Sequence, residues 1–136
     1  MYDKKVAIVI KDDLLAWQKL NVTSFLASSI AIEFPETHGT DFITADNIKF
    51  LPFLKHPILI YKADTHEKLQ RAFLRSKDRQ LAIGIYTKAL FDTRSGEENI
   101  LEIAKHTSDK LDLVAFIVYG ENKKVDKALD GLKYHD

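Results

Sequence analysis

Cysteine is absent from the chain, which excludes a disulfide scaffold, a thiol nucleophile and any thiolate metal site. Glycine is sparse and scattered: Gly39, Gly84, Gly96, Gly120 and Gly131 fall in neither phosphate-loop nor dinucleotide-binding spacing. No serine stands in a nucleophile-elbow pattern. The histidines His38, His56, His66, His106 and His135 form no i,i+4 pair and no His-x-Glu motif, so neither a metal nor another cofactor is expected. No apolar run approaches the roughly 20 residues that span a bilayer, and the opening MYDKK is too quickly interrupted for a signal peptide. The expectation is a cytoplasmic protein with no membrane partner. Charge of neither sign prevails, with 20 acidic and 20 basic residues. A nucleic-acid partner normally requires a basic excess or a local basic stripe. The one lysine series, Lys123, Lys124, Lys127 and Lys133, is interleaved with Asp126 and Asp130 and reads as the wet face of a helix.

What is present describes a single domain over residues 1–136, long enough to bury a core without staples. The β-branched and apolar run at 6–10 predicts a strand covered on both faces. Charged Lys11, Asp12 and Asp13 end it, and Trp17 is placed to staple the following helix. Asn21 has the chemistry of an N-cap. After it Val22, Phe25, Leu26, Ser29 and Ile30 follow the helical period until Pro35. A short hairpin, 42–44 and 48–50 around Ala45-Asp46-Asn47, comes next, and its apolar side chains must cover a sheet edge or another subunit. Strands follow at 58–63, 81–86 and 113–119, with helices at about 65–77 and 97–106. A last helix, capped by Asn122, carries a stripe of Val125, Ala128, Leu129 and Leu132. Gly84 within its strand marks a close backbone approach or a bulge. This alternation predicts an α/β protein with helices on both faces of a mostly parallel sheet, its first three core strands parallel.

In such sheets ligands gather beyond the carboxyl ends of the strands. Those ends are Lys11-Asp12, Lys62-Ala63-Asp64 and Tyr86-Thr87-Lys88, and a helix beginning at Asn21 opens on the same side. Helix N-termini present free N–H groups and a positive dipole end to anions and carbonyls. The candidate ligand-binding residues are therefore Lys11, Lys19, Asn21, Thr87 and Lys88, with Lys62 adding charge. Asn21 as a simple cap, and the lysines as solvated turn residues, are the plainer alternatives. Asp12 and Asp13 admit an acid/base role beside a plain solvated turn.

Taken together, KVAIVIKDDL, WQKLNVTSFLASSIA, ILIYKADTHEKLQRAF, LAIGIYTKALFDT and LDLVAFIVYGENKKVDKALDGL resemble the "domain of unknown function 2000" family over nearly the whole chain. Leu20-Asn21 and Tyr119-Gly120 are its most telling pieces. Members are similar in fold to type II peptidyl-tRNA hydrolases. The resemblance implies a three-layer α/β/α sandwich with a four-stranded mixed sheet, the last strand antiparallel. Type II hydrolases cleave the ester joining a peptide to its tRNA, and often form dimers. Their Gly-Lys-rich turn before the first helix is here Ala16-Trp17-Gln18-Lys19-Leu20-Asn21, with no glycine and one lysine. Where they carry a carboxylate after the third strand, Thr87 stands here, and Asp92 substitutes only if its loop folds back. Ester hydrolysis needs a positioned base and oxyanion stabilisation, and a threonine is no base near neutral pH.

Three readings follow. The first is a non-hydrolase that binds a small anionic or carbonyl ligand at the strand ends and the first-helix N-terminus. The second is a peptidyl-tRNA hydrolase-like esterase using Lys19 and Asp92. The third is an interaction module whose 42–53 segment docks a partner or a second copy, forming a homodimer.

Overall fold

In a computed structural model the protein is described over residues 2–136. Its central strand β1 (Lys4–Lys11) is buried from Val6 to Ile10, as its uninterrupted apolar run requires. Helix α1 (Ala16–Glu33) follows, then the antiparallel ribbon β2 (His38–Ile43) and β3 (Lys49–Leu54). Strand β4 (Ile58–Ala63) leads into α2 (His66–Asp78) and β5 (Ala82–Thr87). A 3-10 turn (Lys88–Asp92) and α3 (Gly96–Ala104) connect β5 to β6 (Leu113–Glu121). Helix α4 (Asn122–Ala128) and the two-residue β7 (Lys133–Tyr134) close the order.

The main sheet runs β5-β6-β1-β4-β7. Strands β1 and β4 are parallel, with Val6 opposite Ile58 and Lys11 opposite Ala63. Strand β6 is antiparallel to both β1 and β5. The first three core strands β1, β4 and β5 therefore share one direction, as periodicity predicts, and the fourth opposes them, as the resemblance implies.

The sheet has five strands rather than four. Helix α4 stops at Ala128, and Gly131 adopts φ +92°, a conformation open to glycine and strained for other residues. The chain reverses there and lays Lys133 and Tyr134 antiparallel along the free edge of β4. Tyr134 stacks on Tyr61 with ring centres 4.7 Å apart. Leu132 thus lies past the last helix instead of completing its stripe, and only Val125, Ala128 and Leu129 are buried.

Two apolar layers flank the sheet. On one face Leu69, Ala72 and Phe73 of α2 and Val125 and Ala128 of α4 pack on Ala7, Val9, Phe116 and Val118. On the other, Val22, Leu26 and Ile30 of α1 pack on Val6, Ile8, Val114 and Ile117. A Cβ added at Gly84 would lie 2.7 Å from Ser29 Oγ and 2.8 Å from Ile117 Cγ2, so that glycine marks a close helix approach and not a bulge.

Helix α1 begins at Ala16, six residues before Val22, where its apolar period places the start. Leu15 is extended at the N-cap, and its N–H donates to Gln18 Oε1 at 2.9 Å, so glutamine at the third helical position supplies the reciprocal half of a capping box. Asn21 is accordingly not a cap. It lies about 7 Å along the helix axis from Ala16, away from the free N–H groups of the first turn. Trp17 sits within that turn and meets Phe91 edge-on at 5.7 Å. Thr65 caps α2, its Oγ1 accepting from Lys68 N at 3.1 Å. Among the described residues no helix is long and apolar enough to cross a membrane.

Candidate functional site

Sheet order decides which of the predicted residues meet. Thr87 ends β5, whereas Lys11 ends β1, and β6 runs between them. Two interstrand steps of about 4.8 Å place these ends roughly 10 Å apart. Thr87 is buried, and the Lys88 N–H donates to Asp112 O at 3.0 Å. Asn21 turns towards the same side, where its Oδ1 accepts from the Tyr86 hydroxyl at 3.3 Å. Phe25 packs edge-on against Tyr86, and burial pushes that phenol above its ordinary pKa. The arrangement that joins Lys11, Lys19, Asn21, Thr87 and Lys88 in one cleft is therefore not formed.

What does converge lies on the opposite flank of α1, at the carboxyl ends of β1 and β4. The Asp12 N–H donates to Ala63 O at 2.9 Å, which ties the turn after β1 to the end of β4. Lys19, in the first turn of α1, donates to Asp12 Oδ1 at 3.0 Å and reaches His135 Nε2 at 3.0 Å. His135 Nε2 is 3.7 Å from the same carboxylate oxygen. A lysine ammonium has donors only, so Nε2 accepts and the ring proton sits on Nδ1. That proton has an acceptor in Asp136 O at 3.2 Å. The backbone places His135 here because its N–H donates to Ile60 O at 2.9 Å, continuing the β7–β4 ladder. Beside this triad Lys62 donates to Asp136 Oδ1 at 2.9 Å. The Asp136 carboxylate holds the Lys62 ammonium above the ordinary lysine range, and Lys62 holds the Asp136 carboxyl below the ordinary carboxylate range. Lys11 turns away to Asp13, at 3.8 Å.

Lys19, His135 and Asp136 rim a cleft of about 370 Å³ between α1 and β4, floored by Ile10, Ala16, Leu20, Thr23 and Ile60. On the other side of Asp12, a smaller polar hollow of about 240 Å³ is lined by Lys62, Asp64, Lys68 and Lys133. Asp92 lies elsewhere, beside Thr93, Glu98 and Glu102 near α3, so Lys19 and Asp92 do not form a pair. Among the described residues no group of three or more His, Cys, Asp or Glu is placed to hold a metal ion.

Lys19 is the one predicted ligand residue that enters this site. Asp12, weighed above as a plain turn, is its counter-ion. His135 and Asp136 escape motif reasoning, because the lack of a paired histidine argues against every histidine taken singly. The available signal is the turn glycine Gly131 followed by Leu-Lys-Tyr-His-Asp, which returns the chain to a strand edge.

The fold and site define a mixed α/β domain with a small apolar cleft edged by a lysine–aspartate–histidine cluster. The chain belongs to the family described as "Protein of unknown function (DUF2000)", whose model matches residues 4–136. It is similar to the solved structure of a protein of unknown function from Agrobacterium tumefaciens strain C58, with 31% identity, a TM-score of 0.94 and 100% of each chain covered. No curated protein matches it.

Proposed function

We propose that the protein binds a small molecule with an apolar body and an anionic or carbonyl end, and holds it without cleaving it. The body lies over Ile10, Leu20 and Ile60, and the polar end meets the Lys19 ammonium. The observation that carries this reading is the pairing of an apolar floor with one oriented cation at its rim. Binding sites commonly have this composition, a mostly apolar concavity with a few convergent polar groups. Asp12 and His135 fix the direction of Lys19, which lowers the entropy that an ordered lysine must lose on binding. Retention without cleavage rests on Thr87 at the carboxylate position of the hydrolases and on Asp92 lying away from Lys19.

Octanoate, a linear carboxylate, is a suitable probe. Titration followed by amide NMR is expected to move the signals of Thr23, Ile60 and His135. Lys19→Met keeps the aliphatic stem and removes the charge, so it should weaken octanoate binding about tenfold, or about 1.4 kcal/mol. Equal affinity in a folded Lys19→Met protein would remove the cleft from consideration as an anion site.

A further inference from the structure

A surface helix ordinarily carries charge on its outer face. Helix α1 carries none between Lys19 and Glu33, although that face is open to solvent. Ile32 is 79% exposed and Leu20 69%, with Trp17 and Phe25 also exposed. The other sheet face supports two helices side by side. A sheet five strands wide spans about 20 Å and a helix about 10 Å, so the α1 layer leaves the β4 flank uncovered.

The β2–β3 ribbon has the complementary defect. It forms an arm whose strands pair with each other and with no other strand. Phe42, Ile43, Phe50 and Leu51 are exposed on it, Leu51 at 84%. Isolated two-stranded ribbons are marginal in water. This one is shaped by its own turn, where Ile48 N donates to Thr44 Oγ1 at 3.0 Å and Asn47 adopts φ +66°. Leu54 at its base packs on the core and Phe42 stacks on Phe53 within the ribbon, but among the described residues Phe42, Ile43, Phe50 and Leu51 stay largely exposed.

We propose that these two surfaces meet between copies, the β2–β3 arm of one copy lying over the exposed outer face of α1 of a second, beside the cleft and not in it. Three features select a second copy over an unlike partner. The arm and the helix face are two unsatisfied apolar surfaces on one chain, which is what an isologous pair needs. The chain has no net charge, so self-pairing builds no long-range repulsion. The area also suffices. With Ile48 and Phe53, also exposed on the arm, ten large side chains, each with roughly 200 Å² and about half of it exposed, present on the order of 1,000 Å², against about 800 Å² per partner in a stable interface.

Sedimentation of the full chain is expected to give twice the 15.6 kDa of one copy. Leu51→Glu on the arm and Ile32→Glu on the helix should each raise the dissociation constant on the order of 100-fold, the effect of burying an unpaired carboxylate. Both side chains are exposed within one copy, so circular dichroism should be unchanged. The absence of native cysteine permits a direct test of geometry. A mixture of Leu51→Cys and Ile32→Cys copies should form a covalent dimer with a short bismaleimide, beyond what either yields alone. A monomer at every concentration overturns the proposal, as does a dimer that survives both glutamate variants. Cross-linking confined to like copies overturns the arm-to-helix arrangement. If a glutamate variant fails to fold, the mass of the unaltered chain and the mixed cysteine pair decide.

Discussion

Lys19 and Asn21 stand two residues apart on α1 and face opposite flanks of the sheet. At about 100° per residue, two positions turn the helix far enough to send one side chain to β7 and the other to β5. Lys19 reaches His135, whereas Asn21 accepts from Tyr86. His56 shows a different economy. It is buried beneath Tyr2, with ring centres 4.2 Å apart, and edge-on to Tyr119, and its Nδ1 has no hydrogen-bond partner among the described residues. Burial, with Lys55 adding to it, pushes the imidazole below its ordinary value of 6.5. The folded protein then binds fewer protons than the unfolded chain. This contribution to stability is therefore full above pH about 6.5 and is lost as the pH falls from there through the folded-state value. His56→Phe keeps the stacking and removes the titration. Its urea midpoint should depend less on pH between about 7 and 5 than that of the unaltered chain. An identical acid limb in both would assign the loss to groups other than His56.

Among the elements, β7 is the shortest and the most consequential for the site. It exists because Gly131 reverses the chain, and it carries His135 and Asp136 to the rim of the cleft. Gly131→Val should cost about 1–2 kcal/mol of backbone strain and loosen the β7–β4 ladder selectively. Hydrogen exchange at His135, whose N–H bonds Ile60 O, should accelerate more than exchange at Val9 in the middle of β1. Uniform acceleration would mean that β7 is integral to the global fold. Most elements are legible in the sequence because their periods are strong. The buried run of β1, the Leu69–Ala72–Phe73–Ser76 face of α2 and the apolar β6 all take their predicted places. Two things are not legible. One is the start of α1, where a leucine cap backed by Gln18 lacks the side-chain oxygen that marks most N-caps. The other is β7, two residues whose strand character comes entirely from the β4 edge. The site inherits both gaps. With α1 starting at Asn21 and no β7, Lys19 is a loop residue and His135 a tail residue. Ile100 of α3 is 72% exposed, whereas Ile103 of the same helix packs on the core.

For the molecule as a whole, the exposed α1 face, the projecting arm and the zero net charge are the features on which the proposed pairing of two copies rests. The strand order has a separate consequence, for the time course of biosynthesis. Strand β1 is the first to leave the ribosome, and its neighbour β6 begins at residue 113. Strand β5 pairs only with β6, so it too waits for β6. Until β6 emerges, the nascent chain can form no more of the main sheet than the β1–β4 pair, with the apolar edge of β1 exposed. At about 5–20 residues per second that exposure lasts for seconds, long enough for chaperones to engage it. Ribosome-bound chains stalled before β6 has cleared the exit tunnel should be cut by protease throughout, and chains stalled after it should resist. Protection of the earlier chains would mean that β1, β4 and α1 fold as an independent unit. The Lys19–His135 contact joins the first helix to the end of β7, so the cleft takes its final form only after the sheet has closed around β6.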